Sequence, residues 1–482
     1  MTSQDSRTPS ATAVEQIAAF ASEARAEDLT PEIRALFRRN ILDSLGCALG
    51  ALPGQPFTRL RAQFDAFGRG GGCTLIGGGQ ASPDQAALYN SALVRYVDLL
   101  DSYMGPGGLC HPADNFGGVL ATAEWVGASG EDFMLALAVA YEVGARLTAA
   151  VPVMAKGFNH ALQLAISLAA ASGRLMKLTP HQIAHAIAIA AIDNVSLAAV
   201  HSEPVSQWKG FSPAITAMRA VYATALAGRD FTGPLRLFEG PNGLERMFDQ
   251  PIAIDWADRG LEAVRQTVMK KYCSLIHGQP VLEAVLELRR AHALAGADIA
   301  SAACETFQSG FDIAGGGSFG PKDHPTTKEQ ADYNLKYLIA AALLDGQVGP
   351  PQLDEARVNA ADAQDLLARV AIRPTAEFTN AYPEALGCRV ALRTRDGREF
   401  VRTRFGYEGG LHHPLTWDRV VEKFHWLAEP YADAGLRGAI VAAVEAIDRR
   451  PVDRLLELLA QVSPHAVHPA TLPGLGPPRP AA

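Results

Sequence analysis

Five short segments of this 482-residue chain hold side chains suited to moving protons or binding anions. Asp98, Asp101 and Ser102 stand at i, i+3 and i+4, a spacing that puts all three on one face of a helix. On spacing alone they read as a solvated helix end. Tyr89, Leu93 and Val97 make the preceding helix amphipathic, however, and it runs into Gly105-Pro106-Gly107-Gly108 and then His111. A helix end, a glycine hinge and an imidazole can build one wall of an acid–base site.

His160 opens an Ala-rich helix, where it can serve a substrate; the plainer reading of a lone histidine is a structural hydrogen bond. Lys209 precedes Ser212-Pro213, read here as a helix start, and an ammonium beside free backbone N–H groups suits a carboxylate or phosphate. The bland alternative is a surface lysine whose stem lies on Trp208. Lys270 and Lys271, with His277 just beyond, fall at an inferred domain boundary, where clefts form. Lys322-Asp323-His324 follows a glycine loop and leads into a helix carrying Asp332, Tyr333, Asn334 and Tyr337, a segment that could act as a lid hinged at Gly315 to Gly317. Together, His111, His160, Lys209, Lys270 and His277, with Asp98 as the anionic exception, form a cationic set. The whole chain carries a net charge of −8, so that set does not follow from composition. It suits a small polycarboxylate, whose charges the lysines would neutralise while a carboxylate or histidine moves protons.

The elements that must position these residues are mainly helices. Thr30-Pro31-Glu32 is a helix start, with a capping Thr, Pro at the first helical position and an acidic first turn. Helical spacing then recurs over about 83–103, 113–127, 131–150, 160–175, 180–200, 212–227 and 258–268, with Ala as the main filler. Residues 70–79, a short apolar run between glycine clusters, read as a hairpin or loop. After residue 270 the pattern changes. A helix near 280–294 is followed by a strand-like run 299–307, a glycine loop 314–321, a long helix from 326 or 327 to 344, and strand candidates 367–374, 388–393 and 399–405. Arg395-Asp396-Gly397 marks a hairpin between the last two. Helices resume near 415–428 and 432–461. These patterns predict an all-helical domain over 13–268 and 410–461, an α+β domain over 269–409, and a Pro- and Ala-rich disordered tail over 463–482.

Composition narrows the function. Hydrophobic residues make up 48% and charged residues 20%, enough for a large core. The acidic balance argues against a nucleic-acid partner. No long uncharged apolar run predicts a membrane span, and the polar start lacks a secretory apolar region. The six cysteines are scattered without a CxxC pair, which predicts reduced thiols, no metal site of that kind and a cytoplasmic location.

Six segments together resemble the MmgE/PrpD family, which includes 2-methylcitrate dehydratase, cis-aconitate decarboxylase and iminodisuccinate epimerase. They are AALYNSALVRYVDLLDS (86–102), HPADNFGGVLATAEW (111–125), KGFNHALQLAIS (156–167), WKG (208–210), KKYCSLIHGQPVLEAV (270–285) and HPTTKEQADYNLKYLIAAALLDG (324–346). The resemblance spans roughly 13–461. It implies a mainly α fold, a large all-helical domain with a smaller α+β lid and the site between them. It implies a homodimer that needs no metal or organic cofactor. Carried over by position, the family's site residues fall on Asp98, Ser102, His111, His160, Lys209, Lys270 and Tyr337, with Lys271 and His277 in the same motif. Ser102 stands where the family usually has Thr, Leu275 where it often has Glu, and Tyr333-Asn334 where it usually has His-Ser. The activity expected is a lyase acting on a small di- or tricarboxylate, of 2-methylcitrate dehydratase type. Asp98 or His111 is then the base, His160 or Tyr337 the acid, and Lys209 and Lys270 the carboxylate clamps. A decarboxylase, an epimerase and a non-catalytic carboxylate-binding protein are the alternatives.

Overall fold

In the computed structural model, which describes residues 11–476, alternation of capping residues and apolar helical stretches builds a helical layer. Thr30 caps Pro31–Ala51, Ser129 caps Gly130–Ala150, and Thr179 forms a capping box with Gln182 on Pro180–Ile192. Pro83–Tyr96 packs between Phe116–Val126 and Trp208–Ala227. The first contact depends on glycine: a Cβ on Gly117 would lie 2.2 Å from the backbone nitrogen of Ser91. Gly130–Ala150 is, among the described residues, long and apolar enough to cross a membrane, but it lies largely buried in the layer.

The α+β part is a four-stranded mixed sheet with spatial order 370–374, 299–306, 388–394, 399–404; the first pair is parallel and the others antiparallel. Inward residues alternate along Cys388–Thr394, where Cys388, Val390, Leu392 and Thr394 are buried, as a strand with one covered face requires. Helices Gln279–Ala291 and Leu335–Asp345 pack beside the sheet. The chain then returns to the helical part, where Trp417–Ala428 packs against Pro31–Ala51.

Four expectations are corrected, each by tertiary contacts. Residues 258–268 are not a helix; a short turn at Ala263–Gln266 leads to the strand Thr267–Val268. That strand pairs with Ser102–Gly105, whose other neighbour is Gly108–Cys110. Pairing of Ser102 with Val268, so far along the chain, is invisible to local periodicity, yet it carries Lys270 to the end of Pro83–Tyr96. The helix expected from 326 or 327 to 344 breaks after Lys328–Ala331 and restarts at Leu335, because Asn334 caps the second piece by accepting from Tyr337 N–H. Trp208–Ala227 starts a turn before Ser212-Pro213 and places Lys209 in its first turn. The tail is irregular but held as far as Gly476: Glu429 accepts from Thr471 and Leu472, and Val467 N–H donates to Pro430 O at 2.8 Å. The part of the predicted disordered tail beyond 476 lies outside the described residues. The hairpin or loop expected over 70–79 is a small hairpin whose return strand lies just beyond it, Cys73–Thr74 with Gln80–Ala81.

Candidate active site

Asp98 is the hub of a buried charge cluster. Its helix ends at Tyr96, and Asp98 takes a left-handed turn at φ 51°, a conformation aspartate tolerates better than most residues. Asp98, Asp101 and Ser102 therefore do not share a helical face. Oδ1 of Asp98 accepts from Lys270 Nζ at 2.5 Å and from Arg95 Nη1 at 3.0 Å, while Oδ2 accepts from Lys209 Nζ at 3.2 Å. Lys209 also donates to Asp332 Oδ1 at 2.5 Å and lies 3.8 Å from the ring centre of Tyr333. Lys328 donates to Asp332 Oδ2 at 2.7 Å and to the carbonyl of Tyr96. All of these side chains are buried.

Burial alone would raise the Asp98 carboxyl. Lys270, Arg95 and Lys209 outweigh it and hold the group well below the usual carboxylate range. Burial draws Lys209 and Lys270 below their usual value, partly offset by Asp332 and Asp98 for Lys209 and by Asp98 for Lys270. A carboxylate held this firmly ionised is a poor proton acceptor but a strong anchor for lysines.

The second half of the cluster is imidazole. His111 follows the strand Gly108–Cys110 and stands edge-on to His160, ring centres 5.1 Å apart. Its Nδ1 is 2.7 Å from the carbonyl of Asp101 and 3.1 Å from Ser102 Oγ. A carbonyl only accepts, so the proton sits on Nδ1 and the lone pair on Nε2. Burial, together with Arg95, Lys270 and His160, pushes His111 well below its usual value, so the ring is neutral. His160, at the start of Ala161–Leu175, faces Asp114 Oδ2 from Nε2 at 3.0 Å.

Asp101 points away from Asp98. It accepts from Asn40, Tyr141 and the Ala113 N–H, and burial raises it to about 6.

The structure brings together Asp98, Ser102, His111, His160, Lys209 and Lys270. His277 lies at the margin, where it packs against Phe307 and Tyr382 yet feels Lys270 and Asp98. Two expected residues lie elsewhere. Lys271 bonds Glu283 at 2.9 Å and Glu408 at 2.7 Å instead of Asp98. Tyr337 donates its hydroxyl to the Gln352 carbonyl and faces Arg357 and Asp345. Tyr337→Phe should leave turnover unchanged and lower stability by about 1–3 kcal/mol, the cost of an unsatisfied buried carbonyl; a large loss of activity with unchanged substrate affinity would contradict this placement. The loop expected to act as a hinge is tied to the helical part, where Glu203 N–H donates to Phe319 O at 2.9 Å and Lys322 pairs with Glu203. His324 bonds Gln364 on the surface.

Arg95, Asp114, His201 and Asp332 were not legible as site residues. Arg95 at three residues before Asp98 and Lys328 at four before Asp332 are visible helical pairings, but such pairs are usually solvent-exposed. Among the described residues no group of three or more His, Cys, Asp or Glu side chains is arranged to hold a metal ion. All six cysteines are buried, and burial raises their thiols.

Acid should destabilise the fold through its histidines. Burial lowers His277 to about 4 from 6.5, and burial likewise holds His111 and His201 well below their usual value. A lowered histidine is neutral in both states above about pH 6.5, and only the unfolded chain gains the proton just below it. Stability should therefore fall as pH drops from 6.5 towards 4, by about 3 kcal/mol from His277 alone. Asp101, raised to about 6, works in the opposite sense: its contribution is present below its ordinary value of 3.8 and is lost as pH rises through 6. Urea titrations across this range check the sign; a fold more stable at pH 4.5 than at 6.5 would refute it.

A buried anionic hub ringed by cations, with paired imidazoles beside it and set in a mainly helical fold, defines a class as well as a site. The MmgE/PrpD N-terminal domain matches residues 15–257 and the MmgE/PrpD C-terminal domain matches 272–449. The chain belongs to the MmgE/PrpD family. It is 26% identical over 367 residues to a 2-methylcitrate dehydratase of Cupriavidus necator, covering 69% of each chain. Against the 2-methylcitrate dehydratase of Escherichia coli K12 it is 25% identical over 407 residues, covering 75% of this chain and 78% of that protein. A cis-aconitate decarboxylase-like protein of Aspergillus oryzae is 24% identical over 462 residues, 90% of this chain and 94% of that one.

Proposed function

We propose that this protein is a lyase that dehydrates a small di- or tricarboxylate, in the manner of 2-methylcitrate dehydratase. The observation that carries the reading is the convergence of Lys209, Lys270 and Arg95 on Asp98 beside a neutral His111. In this reading the lone pair on His111 Nε2 takes the proton α to a carboxylate. The electrons form the new carbon–carbon double bond as the neighbouring hydroxyl leaves. His160, its Nε2–H held by Asp114, enters the step with a second proton on Nδ1 and gives that proton to the hydroxyl, so water departs. Lys209, Lys270 and Arg95 stabilise the charge that builds on the carboxylate during proton removal. General acid–base participation is worth roughly 10²–10⁴-fold and the electrostatic contribution commonly more. Asp98 then spaces and orients the cations, a different task from the base role allowed by its sequence position.

A decarboxylase is the second reading. The decarboxylase-like relative matches over more of both chains than the two dehydratases do. Loss of CO₂ from an unsaturated tricarboxylate also leaves a carbanion that the same lysines would steady. Incubation with 2-methylcitrate, citrate and cis-aconitate separates the two, through ultraviolet absorbance of an unsaturated product and through CO₂ release. Inertness towards all three would remove both substrate assignments.

A further inference from the structure

We propose that His201 is a substrate-binding residue that presents a Nδ1–H donor to an oxygen of the bound acid, and that Asn159 sets the tautomer. This rests on the reading of the site as a polycarboxylate pocket. His201 ends the short turn Ala198–His201 and no motif singles it out, yet its ring lies flat against Tyr333, centres 5.4 Å apart and planes 8° apart. Tyr333 in turn faces Lys209. His201 is buried within the field of His160, Arg95, Lys209 and Asp98. It therefore belongs to the cluster around Asp98 without bonding to any of its charges.

The tautomer follows from hydrogen bonding. The backbone N–H of Ala161 can only donate, and it donates to Asn159 Oδ1 at 2.9 Å. That fixes the amide, so Asn159 Nδ2, a donor, faces His201 Nε2 at 3.0 Å. Nε2 must accept and carries no proton. The proton of the neutral ring is therefore on Nδ1, which is buried and has no hydrogen-bond partner. Arg95 Nε, a donor only, is likewise buried and unpartnered in the same cluster. A buried donor left unpartnered is costly, and one set beside this cationic cluster suits a ligand's oxygen. The lysines and Arg95 supply charge. His201 supplies a neutral, directional donor held in plane by Tyr333, suited to a hydroxyl or to the second oxygen of a carboxylate.

Asn159→Asp tests this with little change of shape. Its carboxylate still accepts from Ala161 but now demands a proton from Nε2, so Nδ1 becomes an acceptor. Long-range ¹H–¹⁵N spectra of histidine-labelled protein, assigned by the signal lost in His201→Asn, should show His201 protonated at Nδ1, and citrate should shift that resonance. Asn159→Asp should show the Nε2–H form and bind citrate about tenfold to hundredfold more weakly by calorimetry. If that variant does not fold, His201→Asn, which keeps a donor near the Nδ1 position, should retain citrate binding, and His201→Leu should lose it. Wild-type protein that binds citrate but carries Nε2–H, or variants that bind citrate as tightly as wild type, would overturn this inference alone. Wild-type protein that binds none of citrate, cis-aconitate or 2-methylcitrate would overturn it together with the polycarboxylate reading.

Discussion

Asp98→Asn should abolish most turnover while making the protein respond more strongly to citrate. The substitution keeps the side chain's shape and removes the charge that Lys270, Lys209 and Arg95 share. Breaking a buried ion pair by neutralising one partner costs about 3–5 kcal/mol, because the remaining charges stay buried without compensation. The lysines, no longer held at 2.5 and 3.2 Å from a common carboxylate, lose their fixed spacing. Loss of such preorganised charge lowers kcat by about 10²–10³-fold. The excess positive charge should then welcome an anion, so millimolar citrate should raise the melting temperature of the variant by more than it raises that of wild type. Measuring turnover and citrate-dependent melting on the same preparations separates the hub role from a simple folding defect. A variant with wild-type activity, or one stabilised less by citrate than wild type, would refute the hub assignment.

The second large effect should come from a residue outside the substrate cluster. Lys423, on the helix that returns from the α+β part, donates to Asp43 at 2.6 Å, to Leu99 O at 3.0 Å and to Lys270 O at 2.8 Å. One buried ammonium thus ties the backbone on both sides of the Asp98–Lys270 pair to the helix Pro31–Ala51. Lys423→Met should cost about 3–5 kcal/mol, because Asp43 would lose the ammonium that bonds it in a buried site where burial already raises it. Asp43→Leu combined with Lys423→Met should recover much of that loss, since replacing a whole buried pair by apolar groups is often neutral. The double variant should still have a raised KM, because the carbonyls of Leu99 and Lys270 lose their shared donor and the adjacent side chains their register. Denaturant unfolding and steady-state kinetics on both variants check this. A double variant as unstable as the single, or with wild-type KM, would show that Lys423 does not act in this way.

Much of the α+β part was readable because its signals are local. Alternation in 388–394, the Asp396-Gly397 turn and the run 299–306 each lie within one element. The helical layer was readable for the same reason, from the cap Thr30-Pro31 and from apolar residues at helical spacing. Element ends were less secure. The helix before Asp98 has the periodicity to continue, and it stops because Asp98 gains three cationic partners by turning left-handed.

By itself the sequence determined which residues have the chemistry: a chain of net negative charge that sets His111, His160, Lys209 and Lys270 in separate segments, all of which meet around Asp98. Only the tertiary structure decided direction. It turned Lys270 to Asp98 and Lys271 to Glu283 and Glu408, sent the Tyr337 hydroxyl to a backbone carbonyl, and drew Arg95, Asp332 and His201 into the cluster. The physical reason is that a side chain's type is a property of its own position. Its direction and partners follow from pairings such as Thr267–Val268 with Ser102–Tyr103, whose energy comes from residues far away along the chain.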